Sequence, residues 1–87
     1  MKKYEYKEFI KYMYIKSDYK CGAWKFRDDI IKILNELGQE GWKPAIQLDD
    51  IEETIYFDEK ENTCTAKLGG IFVREINEEE NITENKK

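Results

Sequence analysis

The chain has 87 residues, of which 40% are apolar, 14% aromatic and 39% charged, with a formal net charge of −4. That length holds one domain with a small core, and the apolar share excludes a chain too polar to fold. No apolar run approaches the ~20 residues that cross a bilayer, and no signal-peptide pattern opens the chain, so the expected compartment is the cytoplasm and no membrane partner is expected.

The charge is uneven along the chain: residues 1–27 hold eight Lys/Arg and three Asp/Glu, whereas residues 28–87 hold seven and sixteen. The acidic total argues against nucleic acid as a partner, because it repels phosphate. The split itself suits association between copies, basic start against acidic remainder.

Residues 2–15 read as a long strand. Tyr4, Tyr6, Ile10, Tyr12 and Tyr14 fall on one face at the period of two expected for a half-buried strand. The other face is charged at first and apolar at the end, through Phe9, Met13 and Ile15. Glu8 interrupts the aromatic face and marks a place for a bulge. The tyrosines are read as lying flat on the sheet with their hydroxyls at its rim; the competing reading is a contact surface, where tyrosine is enriched. Residues 16–24 form a loop built on Ser17, Asp18 and Gly22, with Trp24 either sealing the start of the next helix or standing exposed as a contact residue.

A helix follows. Ile30, Ile31, Leu34 and Leu37 make one apolar stripe at a 3.6-residue period, and Phe26 extends it by a turn. Asp28 and Asp29 suit the exposed amides of the first turn. Gly38 is expected at the left-handed stop, Gly41 at the turn after it, and Trp42 folded back as a core anchor.

Three further strands are expected. Residues 42–48 form the first; because Pro44 cannot donate to a ladder, this strand either lies at an edge there or begins after it. Asp49 and Asp50 mark a turn, and residues 52–57 form the next strand. After a polar hairpin loop, residues 63–76 form the last, pairing antiparallel with the strand before it. Ala66, Leu68, Phe72 and Ile76 share one of its faces, and Ile71 and Val73 point to the other. Apolar side chains on both faces mark a central strand covered twice. One helix covers one face, so a second copy of the sheet is expected over the other, with Ile71 and Val73 at the oligomer interface. Gly69 and Gly70 suggest a bend within this strand. Residues 77–87 hold one apolar side chain, Ile82, and read as a disordered acidic tail after a single domain of residues 1–76.

Recognisable chemistry is sparse. The chain has no histidine, which removes the commonest general base and metal ligand. Its one serine, Ser17, has no evident base. Cys21 and Cys64 lie far apart, outside any CxxC pair, and read as separate reduced thiols. Asp49, Asp50, Glu52 and Glu53 could draw a divalent cation, but such a run is read as a solvated turn. No enzyme, cofactor or metal is therefore expected.

The start Met-Lys-Lys-Tyr-Glu-Tyr-Lys, the segment Leu-Asn-Glu-Leu-Gly-Gln-Glu-Gly-Trp at residues 34–42 and the end Ile-Phe-Val-Arg-Glu at residues 71–75 carry a resemblance. In these the chain is similar to a family of small bacterial and phage proteins called domain of unknown function 4177. It departs from that pattern in Pro44 and in an acidic insertion at about residues 49–62, and so looks like a divergent member. The resemblance implies a small α+β fold and transfers no catalytic residue.

These readings combine into an α+β domain with one helix packed on a three- to four-stranded, mostly antiparallel sheet in the order β-α-β-β-β. The expected function is that of a non-enzymatic binding module that self-associates through its sheet as a dimer or higher homo-oligomer. The alternative is a phage or mobile-element protein that acts against host defence by sequestering a small signalling molecule or covering a host protein. For such a ligand or partner, Tyr12, Tyr14, Trp24 and Arg27 are the candidate contacts.

Overall fold

The computed structural model describes residues 2–76. Strand β1 spans Lys3–Lys16. A 3-10 turn at Ala23–Phe26 leads into helix α1, Arg27–Gln39. Strand β2 spans Lys43–Gln47, a second 3-10 turn covers Ile51–Thr54, and strands β3 (Tyr56–Asp58) and β4 (Thr63–Ile76) follow. The expected tail at residues 77–87 lies outside the described residues.

The result is one helix on a four-stranded antiparallel sheet. The long strand β4 is its centre. On one side β1 pairs with β4 along its whole length, Lys3 opposite Ile76 through Lys16 opposite Thr63, without a break. The bulge expected at Glu8 is absent, since Glu8 stays in register opposite Ile71. On the other side two short strands share the edge of β4: β2 against residues 70–73 and β3 against residues 63–65. Between them the Thr54 hydroxyl takes the place of a strand, accepting from the Lys67 amide at 3.0 Å and lying 2.8 Å from the Ile51 carbonyl. The strand expected over residues 52–57 is therefore shorter and starts later. Its first half is a turn that Asp50 opens by accepting from the Glu52 amide at 3.0 Å.

The helix covers the face of the sheet that carries Phe9, Met13 and Ile15 on β1 and Cys64, Ala66, Leu68 and Phe72 on β4. It contributes Ile33 and Leu37, with Phe26 fully buried just before it and Trp42 just after. The spacing Phe26, Ile30, Ile33, Leu37 is the true inward stripe, with Leu34 beside it. Ile31, expected in the stripe, is exposed. Phe9 meets Phe72 edge to face at 5.7 Å.

The helix ends one turn later than expected. Gly38 is still helical, and the left-handed residue is Gly41, at φ 89°. The Trp42 amide donates to the Leu37 carbonyl and the Gly41 amide to that of Gly38, each at 3.0 Å. This is a Schellman stop, with its usual apolar contact supplied by buried Trp42 and Leu37. Two cations hold the tryptophan: the Lys7 ammonium and the Arg74 guanidinium each lie 4.5 Å from its ring centroid. Arg74 also pairs with Glu5 and donates to the Glu40 carbonyl, tying the helix end to β1 and β4.

Gly69 and Gly70 do not break the pairing of β4 with β1. The irregularity lies in β2, where Ala45 is extra between Pro44 and Ile46. Gly70 is required there by close approach: a Cβ on it would sit 2.7 Å from the Ile46 carbonyl oxygen. Pro44 does lie on an edge strand, as its missing amide demands.

Cys21 and Cys64 are not separate thiols. They meet in the core as a disulfide, with Cα atoms 6.6 Å apart and both side chains buried. The loop swings inward to allow this, with the Ser17 amide donating to the Asn62 carbonyl at 2.8 Å.

Candidate functional site

The second face of the sheet has no covering layer among the described residues. In β1 it is built from Tyr4, Tyr6, Glu8, Ile10, Tyr12 and Tyr14, because successive side chains alternate across the sheet. Opposite them on β4 stand Glu75, Val73, Ile71, Gly69, Lys67 and Thr65. Ile46 stands beside Ile71, and Tyr56 beside Thr65. All four β1 tyrosines are more than half exposed, from 53% at Tyr4 to 65% at Tyr6. Ile10, Ile46 and Tyr56 are exposed with them.

Ile71 and Val73 do occupy this face. Val73 is already buried, between its neighbours Tyr6 and Lys43 on the flanking strands, and Ile71 is half-buried. They form the floor of the face, and the tyrosines with Ile10 and Ile46 form its exposed surface. Tyr12 and Tyr14 belong to it. Trp24 and Arg27 do not: they lie in the turn and helix layer on the other side of the sheet. Trp24 is exposed there, with the Lys25 ammonium 4.5 Å from its ring centroid. The grouping of these four residues into one contact surface is thus divided in two.

One ion pair crosses the middle of the open face. Lys67 Nζ lies 2.8 Å from Asp49 Oδ2. Asp49 can lie flat there because residue 69 is glycine; a Cβ at that position would be 3.3 Å from the same carboxylate oxygen. Asp49 raises the Lys67 pKa above its ordinary 10.5, first through the hydrogen bond and then through its charge, with Tyr12 and Glu8 adding to the same direction. Lys67 and Asp49 neutralise each other, which leaves Glu8, opposite Ile71, as the remaining charge among the tyrosines at the centre of the face.

The acidic run has other work. Asp49 pairs with Lys67, Asp50 opens the 3-10 turn, and Glu52 Oε1 accepts from the Ala23 amide at 2.9 Å. Among the described residues no group of three or more potential ligands is arranged to hold a metal ion. No helix among them is long and apolar enough to cross a membrane.

Tyr4 and Tyr6 belong to the tyrosines for which a contact surface is the competing reading of the sequence, whereas Ile10, Ile46 and Tyr56 are not among the expected contacts. For the β1 residues the signal was present as strict alternation; what was missing was which face the helix takes. No family model, no curated protein and no solved structure matches the chain.

Proposed function

We propose that the protein is a small non-enzymatic interaction module that self-associates through its sheet. The observation that carries this reading is the uncovered face of exposed tyrosines, Ile10 and Ile46 over a floor of Ile71 and Val73. Contiguous apolar surface of this kind is rarely left to water by a monomer.

The size of the face sets how much of it a second copy must use. Strands of 14 residues are about 46 Å long at ~3.3 Å per residue, and three strands at ~4.8 Å spacing are about 14 Å wide, a footprint of roughly 600 Å². Stable interfaces cover about 800 Å² on each partner, so packing against a second sheet would engage the whole face. Its charges suit this as well, because Lys67 arrives neutralised by Asp49.

The resemblance to domain of unknown function 4177 is compatible with this reading and adds no activity to it. Its most specific segment, residues 34–42, is the Schellman stop and the Trp42 anchor, which are elements of fold. A cytoplasmic location is part of the same proposal. The Cys21–Cys64 disulfide argues against that location, because a reducing compartment keeps such a pair as thiols.

The test places charge on the face. Tyr6→Lys combined with Ile46→Asp should break the face-to-face contact and lower the particle mass in sedimentation, while Lys25→Glu on the helix side should leave it unchanged. If the double variant retains the particle mass and its far-UV spectrum, the open face is not the interface and the reading fails.

A further inference from the structure

The edges of the sheet differ in how well they are protected. β2 is short, carries Pro44 and is bulged, and β3 has three residues. These features blunt an edge against pairing. Of such devices β1 has only charge, in Lys3, Lys7, Lys11 and Lys16; it has neither proline nor bulge, and all fourteen of its residues hold register with β4. Among the described residues no strand lies on its outer side. Because an antiparallel strand directs alternate residues' backbone groups to each neighbour, about half of the amides and carbonyls of β1 point outward. An open groove runs beside this strand, lined by Lys11, Tyr12 and Met13 of β1 and by Asp29, Ile33 and Glu36 of α1.

We propose that the outer edge of β1 pairs antiparallel with the same edge of a second copy, about a twofold axis at Ile10. The proposal rests on the reading that the chain self-associates, and it supplies a geometry. Two sheets join edge to edge, and their tyrosine faces become one continuous surface, which the same surface of a second such pair covers face to face.

The charges of β1 select the register. With the axis at Ile10, residues 4–16 of the two copies overlap. Tyr6 lies opposite the partner's Tyr14, Glu8 opposite the partner's Tyr12 and Tyr4 opposite the partner's Lys16. On the helix side Phe9 lies opposite the partner's Lys11, Lys7 opposite the partner's Met13 and Glu5 opposite the partner's Ile15. No like charges face each other. An axis at Phe9 sets Lys7 against the partner's Lys11; an axis at Glu8, or at Lys11, sets that residue against its own copy. Directly opposed like charges destabilise a strand pair. Axes at Tyr6 or Tyr12 avoid this but shorten the overlap.

Cysteine cross-linking of the full-length chain tests the register. A disulfide requires Cα atoms about 4.4–6.8 Å apart. Strands paired about Ile10 meet that at Ile10 itself, whereas sheets stacked face to face are ~10 Å apart. Ile10→Cys should therefore oxidise to a covalent dimer. Tyr14→Cys alone should not, but Tyr14→Cys mixed with Tyr6→Cys should give the mixed dimer. A native mass at or above the dimer with no cross-link at Ile10, or with Tyr14→Cys linking to itself equally well, overturns the edge pairing and leaves self-association standing. A monomeric mass for the unsubstituted chain overturns both.

Discussion

Glycines 38, 41 and 70 do three different things, and their substitutions separate them. Gly38 is helical with open space around its Cβ position, so Gly38→Ala should stabilise the fold by about 0.5–1 kcal/mol. Gly41 holds φ 89°, so Gly41→Ala should cost about 1 kcal/mol or more. Gly70→Ala drives a Cβ against the Ile46 carbonyl and should cost about 1–3 kcal/mol. Thermal melts resolve these, since 1 kcal/mol moves the midpoint of a domain this size by roughly 4–8 °C. Equal midpoints for the Gly38 and Gly41 variants would contradict the assigned helix stop. Sequence alone pointed to Gly38 because it follows the last apolar residue of the stripe. The real stop lies three residues on, because Trp42 must reach back over Leu37.

Lys67 makes the residue scale pH-dependent. Its folded pKa is raised, so its contribution is fully present below the ordinary value of 10.5 and is lost as pH rises through the higher folded value. The stability difference between the protein and Lys67→Met should be constant from pH 7 to 9 and shrink only above about 10.5. Urea unfolding across that range measures it; a difference that shrinks between pH 7 and 9 would contradict the Asp49 pairing.

At the scale of elements, the last strand and the helix were legible and the middle of the chain was not. β4 reads directly because both of its faces carry apolar side chains and polar residues, Asn62 and Asn77, flank it in the sequence. β1 was legible as a strand but not as to which face is buried. Its tyrosines alternate more plainly than Phe9, Met13 and Ile15, yet the core takes the latter, which carry no hydroxyl to satisfy. Ile30, Ile31, Ile33 and Leu34 fill more than one side of the helix, so the stripe could be drawn through Ile31 until Phe26 and Trp42 fixed its direction. Residues 52–54 read as the start of a strand because Thr54 and Tyr56 alternate with Ile55 and Phe57; the Asp50 cap and the Thr54 hydroxyl turn them instead. Thr54→Val removes the acceptor for the Lys67 amide and should cost about 1–2 kcal/mol. A neutral effect in denaturant melts would mean that the hydroxyl does not substitute for the missing strand.

Across the whole molecule, the small core is reinforced by one covalent link. The Cys21–Cys64 disulfide closes a loop with a sequence separation of 43, for which chain entropy predicts about 4 kcal/mol of stabilisation. Reduction should lower the melting midpoint markedly, and thiol titration of the native protein without reductant should find no free cysteine. Distance in sequence hid this pairing, since nothing in the spacing of the two residues announces it. An uncovered face follows from a simple count of layers, one helix for a strand apolar on both sides; its exposed surface is the β1 tyrosines with Ile10, Ile46 and Tyr56, over a floor of Ile71 and Val73.

Self-association is the claim on which the functional account depends, and the mass of the native particle tests it most directly. Native mass spectrometry of the full-length chain at micromolar concentration should give twice the chain mass of 10.5 kDa or an even multiple of it. A particle of one chain mass at that concentration would contradict the account.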